Sequence, residues 1–456
     1  MNRFAIILLL FLTAFTGCTS TPHDLIQANA DVNAVTMPQV HQHAADLEDH
    51  YWDYAQHNGI TWPPRRSDVN LVNPDIHGNG GDTALFTGYM LAAQVYKWKV
   101  TGDAADFTKV LQTLRGCYIL THATGTPGVI SRCAFDTTMP ERFGFPEFWG
   151  SRIDRGFVGE GPAETGSNWV TTYTPMTYYT RATRDQITGL IFGLSTAWKE
   201  LDGNSTNEVL AREVIAKITA DVYWYLRAND FLIRDQHGRN DTSADDVTGV
   251  LKLALLGLFR HTSGLPRIQE KYEELFAQTF ILDRAWDAAI NVFNNWDQYY
   301  AWNLRYARAC SIWLLEDDAE RRATVVDYVR SKLWAYTRNH NSPQFAFIYA
   351  AMRAEGEVPL TDALFGLKSL SLRPMRQWDS PLCGDLRAPN LSQALTGIGR
   401  YIVPPHLRKP TDYSTWTKKP WDTGEHCLGD ALPNGDNTGG DFLLPYWMGR
   451  RYGFIE

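Results

Sequence analysis

Apolar and polar positions alternate along this chain on two scales. Six stretches have an apolar face and a charged face: Gln39–Ala55, Ala104–Leu120, Asn207–Arg227, Ile268–Phe280, Asp318–Thr337 and Leu360–Leu370. Between them lie six stretches that are apolar nearly all round: Leu85–Trp98, Ile187–Trp198, Val247–Phe259, Tyr299–Leu315, Phe345–Met352 and Phe442–Met448. A helix with one charged face covers a core, and a helix apolar all round lies inside one. Period-2 runs joined by hairpin turns are not seen, so an all-α fold of six inner and six outer helices is expected.

Each inner stretch is preceded by a short tetrad: "GGDT" at Gly80–Thr83, "TRDQ" at Thr183–Gln186, "SADD" at Ser243–Asp246, "NWDQ" at Asn295–Gln298, "NSPQ" at Asn341–Gln344 and "GGDF" at Gly439–Phe442. The first residue is always a type that caps helices, and Gln at the fourth place resembles a capping box. The third is Asp in five of six: Asp82, Asp185, Asp245, Asp297 and Asp441. These five carboxylates are expected on one rim. Three inner stretches continue with Thr-Gly, at Thr87–Gly88, Thr188–Gly189 and Thr248–Gly249. Glycine inside a helix costs about 1 kcal/mol relative to alanine. Close helix packing is the expected return.

Six inner and six outer helices in alternation resemble the (α/α)6 toroid, in which parallel inner helices circle an axis and the outer ones wrap them. The resemblance covers nearly all of residues 38–456, read as a single domain, and is architectural, with no motif of one family. "TRDQITGLIFGL" resembles a segment of secreted bacterial proteins and by itself implies no chemistry. Two long loops, about Thr121–Ala182 and Ser371–Thr438, lead into inner helices and are expected to overhang the rim. Long loops rich in aromatics and glycine inside a compact domain are usually functional.

The N-terminus changes the picture of where the protein resides. Arg3 is followed by a short apolar run and "FTGC" ending at Cys18. The run is too short for a stable membrane span and reads as a signal peptide over residues 1–17. "FTGC" resembles a bacterial lipobox, although Phe15 stands where Leu is usual. That resemblance implies lipidation of Cys18, a polar tether to about residue 37 and, with Thr19 next, the outer membrane of a Gram-negative envelope. A lipid chain would then anchor an otherwise soluble body. Export makes disulfides permissible. Cys117 with Cys133, and Cys383 with Cys427, are candidate pairs, and Cys310 in its apolar run is expected to be a buried thiol. No Cys/His spacing reads as a zinc site.

Composition adds 16 Trp and 21 Tyr, and a net charge of -8 spread along the chain. No basic stripe suggests nucleic acid. Aromatics with polar edges suit sugars, whose rings have apolar faces. Trp169, Tyr178, Trp296, Trp149, Tyr173, Tyr179 and Trp447 are candidate stacking residues. The toroid resemblance implies an oligo- or polysaccharide partner and a site at the inner-helix N-terminal rim, as in glycoside hydrolases of that architecture.

Glycoside hydrolysis needs two carboxyl groups in unlike protonation states. First-turn amides favour an ionised Asp, so Asp185 or Asp82 is the expected base or nucleophile. The acid is expected from apolar loop surroundings, with Glu164 or Glu160 in "GEGPAETGSNW". Arg184, Asp245, Asp297, His340 and Asp441 are expected to line the substrate. Capping alone accounts for any one of the rim Asp residues, but not for two aromatic loops above the same rim. A polysaccharide lyase is the rival reading, with Tyr299, Tyr300 or His340 as base and Asn303, Arg305 or Asn341 as neutraliser. A non-catalytic glycan-binding or envelope-assembly lipoprotein is a third. No cofactor is expected, although "RNDTSADD" and "NGDNTGGD" offer oxygen ligands of the kind Ca²⁺ takes, without the EF-hand pattern.

Overall fold

The computed structural model describes residues 22–62, 65–66, 82–136, 154–157, 175–180, 182–239, 246–293, 300–353, 360–373, 403–408, 434–435 and 439–456. The described chain is predominantly helical. In order, the helices are α1 (Pro22–Ala34), α2 (Met37–Tyr54), α3 (Thr83–Thr101), α4 (Ala104–His122), α5 (Arg184–Glu200), α6 (Thr206–Ala228), α7 (Gly249–Ser263), α8 (Pro266–Phe293), α9 (Tyr300–Leu315), α10 (Ala319–Tyr328), α11 (Pro343–Met352), α12 (Thr361–Ser371) and α13 (Gly440–Arg451). A π turn at Val329–Trp334 carries α10 on to Ala335–Thr337. Every one of the twelve stretches read from the alternation contains a helix.

The boundaries follow local chemistry. Ser205 and Glu208 form a reciprocal capping box at the start of α6, with bonds of 3.1 and 3.2 Å. Gly102 ends α3 in the left-handed conformation and donates its N–H to the Trp98 carbonyl. The uniformly apolar helices are the buried ones: α3 is buried from Thr83 to Tyr96, and α11 and α13 over most of their lengths.

Helix α3 packs against α4, α5 and α13; α5 packs against α7 and α9; α9 against α7 and α11; and α11 against α13. The C-terminal ends of α3, α5, α7, α9 and α13 meet. Tyr452, just past α13, lies 6.0 Å ring to ring from Tyr96 and 6.5 Å from Trp313. Arg451 pairs with Glu200 at 2.8 Å, and Arg260 of α7 donates to the carbonyl of Leu315. Their N-terminal ends are therefore directed away from this aromatic cluster.

Four expectations need correction. The tether is helical over α1, because Ala28 and Val32 find an apolar surface, and the helix packs on α12. Short strands occur: an antiparallel hairpin pairs Gln56–His57 with Ile60–Thr61, turning at Asn58 and Gly59 with φ of 53° and 76°. Asn-Gly is the strongest two-residue hairpin signal, but two-residue strands leave no alternation to read. A three-stranded antiparallel sheet places Pro175–Tyr179 between Cys133–Phe135 and Asp154–Phe157.

Third, the tetrads do not share one register. Thr183 and Gly439 are N-caps as expected, but Asp82 is itself the N-cap of α3. Pro343 takes the first helical position and makes Ser342 the cap. Thr248 caps α7, and Asp246 forms a β-bridge with Leu232 instead. Fourth, Cys117 and Cys133 are unbridged buried thiols, as is Cys310, each pushed up to about 12 or beyond by burial. Cys18, Cys383 and Cys427 lie outside the described residues. Iodoacetamide is expected to leave Cys117, Cys133 and Cys310 unmodified in the folded protein, and to modify all three after denaturation without reductant. Peptide mass mapping reads both outcomes.

Candidate functional site

Four inner helices bring their first turns to one polar cluster. Asp82 caps α3, but its carboxylate makes no capping bond. Its Oδ1 instead accepts from Gln186 Nε2 at 2.8 Å and from Arg132 Nη2 at 3.2 Å. Gln186 is the fourth residue of "TRDQ". Its Oε1 accepts the Thr183 backbone N–H at 2.7 Å, so one amide side chain caps α5 and orients a carboxylate on α3. Arg132 is placed by the backbone: its N–H donates to the Tyr179 carbonyl of the small sheet, and its carbonyl accepts from Ala84 in the first turn of α3.

Asp185, on the first turn of α5, is half-buried. Burial raises its pKa above the ordinary carboxylate value, and the neighbouring Asp82 adds to the rise. Arg308, then Arg132 and Arg184, oppose it without cancelling it. First-turn amides were expected to favour the ionised form. The helix-terminus effect is worth about 0.3–1 kcal/mol at the surface, and here desolvation outweighs it.

Arg308 comes from the interior of α9. Its Nε donates to Thr188 Oγ1 at 2.9 Å, and Thr188 donates in turn to the Arg184 carbonyl at 2.7 Å. Burial lowers the guanidinium to about 10, with Asp185 as the leading opposing influence, so it stays charged at neutral pH. Tyr300, the first residue of α9, also faces this charge: burial raises its pKa, and Asp185 raises it further. Tyr89 of α3 donates to the Asn303 carbonyl at 3.5 Å and lies beside the Gln344 side chain of α11. Burial holds its phenol far above the ordinary value. Arg184 Nη1 reaches Asp246 Oδ1 at 3.5 Å, where the chain approaches α7, and both side chains are about half exposed.

The cluster thus holds a carboxylate gripped by two donors, a second carboxyl that keeps its proton to higher pH, and a buried cation between inner helices. Pairs of titratable groups in unlike surroundings are what acid–base chemistry uses. Among the described residues no group of three or more His, Cys, Asp or Glu could hold a metal ion.

The other candidates divide sharply. Asp441 is buried in an ion pair with Arg373 at 3.4 Å, and Arg373 is itself lowered to about 10 by burial. That pair is interior structure, not a substrate-facing carboxylate. His340 is 5% exposed, and burial together with Arg408 lowers its pKa to about 3. It cannot serve as a surface base in this conformation. Tyr178 is 3% exposed on the central strand of the small sheet, its hydroxyl accepting from Gln236 Nε2 at 3.3 Å. Tyr179 and Trp447 are likewise buried. None of these three rings presents a face to solvent. Glu160, Glu164, Trp169, Trp296, Asp245, Asp297, Trp149 and Tyr173 lie outside the described residues.

Arg132, Arg308 and Tyr89 are the residues the sequence reading missed. A signal existed for Arg308, since arginine inside an apolar run is seldom buried without a partner. No family model matches the chain, and neither a curated protein nor a solved structure shows significant similarity to it.

Proposed function

We propose that this chain is a glycan-active envelope protein, a glycoside hydrolase on an (α/α)6 toroid. The toroid reading is supported by the succession of inner-helix contacts, α3–α5–α7–α9–α11–α13 and back to α3, and by the gathering of the C-terminal ends of α3, α5, α7, α9 and α13. The observation that carries the functional reading is the pairing of Asp82 and Asp185 at the opposite end in unlike settings.

In this reading Asp185 is the general acid that protonates the leaving glycosidic oxygen, because burial keeps its proton available. Asp82, held by Arg132 and Gln186, is the base or nucleophile. This exchanges the roles expected from sequence, where Asp185 was a base and a loop Glu the acid. Arg184 and Tyr300 flank the pair and supply polar contacts to the sugar. The lyase alternative is the less supported at two of its three candidate bases, because burial raises the Tyr300 pKa and His340 is buried, while Tyr299 lies outside the described residues. No helix among the described residues is long and apolar enough to cross a membrane. Attachment to the outer membrane is proposed to rest on lipidated Cys18.

The test is a panel of envelope and dietary polysaccharides and peptidoglycan fragments, incubated with protein lacking the first 18 residues. New reducing ends without unsaturated-uronate absorbance are expected. Activity should decline on the alkaline side as Asp185 loses its proton. Unsaturated products would establish a lyase, and binding without turnover across the panel would establish a non-catalytic protein.

A further inference from the structure

A second site lies away from the Asp82–Asp185 cluster and shares none of its residues. A cleft of about 220 Å³ opens between α6, α7 and α8. Its floor is apolar: Tyr223 and Leu256 are buried, and Phe231 and Leu275 are partly buried beside them. Three cations, Arg227, Lys252 and Lys271, stand around that floor. The single carboxylate of the lining, Glu274, accepts from Gln278 Nε2 at 3.3 Å on its own helix. The cleft therefore carries a local surplus of positive charge over an apolar base.

None of the three cations has a carboxylate partner among the described residues. Arg227 Nη1 is buried without a hydrogen-bond acceptor. A buried N–H without an acceptor forfeits a hydrogen bond that water would otherwise make. Lys252 Nζ sits over the Phe231 ring at 3.7 Å, and Arg227 lies 5.1 Å from the Trp224 ring centre. Burial lowers the Lys252 pKa, and the charge of Lys271 lowers it further. Lys252 also stands in the first turn of α7, the end of a helix where a cation is disfavoured. The two ring contacts are attractive but leave the three positive charges without a counter-ion, which an anion between them would supply.

The backbone is bent to form this floor. Asp230 and Phe231 are consecutive non-glycine residues with φ of 56° and 60°. A bulky residue in that region is an outlier, and such strain collects at binding sites. Here it turns the Phe231 ring beneath Lys252 and edge-on to Tyr223, at 6.1 Å and 68°.

We infer that this cleft binds a small amphiphilic anion, a carboxylate or phosphate carried on an aromatic body, with the ring on the Tyr223–Phe231–Leu256 floor and the anionic group between Arg227, Lys252 and Lys271. A bicyclic aromatic acid is of a size to fill the cleft. The site is independent of the glycan reading and stands or falls separately.

Isothermal titration of the mature protein with 2-naphthoate, 2-naphthyl phosphate and the neutral 2-naphthalenemethanol tests it. Saturable binding of at least one anion is expected, with the alcohol weaker by about tenfold or more, as loss of a charge-assisted hydrogen bond requires. The order of the two anions tells carboxylate from phosphate preference. Lys252→Gln and Arg227→Gln should each weaken the better anion by a similar factor. Lys271→Gln, on an exposed side chain, should weaken it several-fold with no effect on folding. Asp185→Asn should leave it unchanged. Equal binding of alcohol and acid, no binding of either anion up to its solubility limit, or indifference of the Lys271→Gln and Lys252→Gln proteins would overturn the proposal.

Discussion

Asp185→Asn is expected to lower turnover by about 10²–10⁴-fold, the usual contribution of a general acid or base, while leaving the melting temperature unchanged, or slightly higher above the pH at which the folded Asp185 ionises. The sign follows from linkage. The folded-state pKa of Asp185 is raised, chiefly by burial. Its protonated form therefore favours the folded state. That contribution is full below the unfolded pKa and is lost as pH rises through the folded one. Above the folded-state pKa the ionised carboxylate is a burden that asparagine removes without changing shape. The stability difference between variant and parent should vanish in acid. Asp82→Asn should cost activity similarly, but without the stability gain, because it weakens the acceptor used by Arg132 and Gln186. Melting curves and turnover measured at several pH values separate these outcomes. An Asp185→Asn protein that melts well below the parent but turns over normally would make the carboxylate a structural element only.

Gly88→Ala is expected to destabilise the protein by about 3 kcal/mol or more, at the upper end of overpacking costs. A Cβ on Gly88 would stand 1.9 Å from the Gly189 carbonyl oxygen. The approach is mutual: a Cβ on Gly189 would stand 2.3 Å from the Leu85 oxygen, and one on Gly193 2.2 Å from the Gly88 oxygen. All three obstacles are backbone, so no side chain can swing aside and α3 and α5 must separate. Gly257→Ala is the control. There the new methyl meets only the edge of the Tyr272 ring at 3.3 Å. The gain in helix propensity, about 1 kcal/mol, offsets the contact. Urea denaturation of the two variants should differ clearly. Equal stability would mean that the helices are farther apart than described. The same seam aligns Asp82 with Gln186, so Gly88→Ala should also reduce activity beyond what unfolding explains.

Two of the three Thr-Gly pairs, Thr87–Gly88 and Thr188–Gly189, announced this seam, because an interior glycine needs a compensating reason; the third did not, since Gly249 opens α7 with φ of 53° and a Cβ there would meet nothing within 4 Å. Helix positions were equally legible, since a uniformly apolar run of helical length has few alternatives to burial. What stayed hidden was register and partnership. Nothing in "GGDT" says whether Asp82 caps its helix or leans across to Gln186, since that depends on how closely two helices separated by a hundred residues approach. Nothing in a Tyr-rich stretch distinguishes a stacking ring from Tyr178 beneath a sheet. The dipole argument at Asp185 failed because desolvation is a tertiary quantity. Pro343 was different: its preference for the first helical turn was readable, and it should have moved the cap to Ser342.

The contact between α3 and α13 has a kinetic consequence. Helix α3 ends at Thr101 and α13 begins at Gly440, so their mutual burial joins regions separated by most of the chain. Closing so long a loop is entropically late, and folding slows as contacts become more distant in sequence. During synthesis the apolar side of α3 that later packs against α13 has no cover until that helix emerges. A nascent chain halted before Gly440 therefore carries an open hydrophobic seam, a surface that chaperones and proteases recognise and the finished protein does not show.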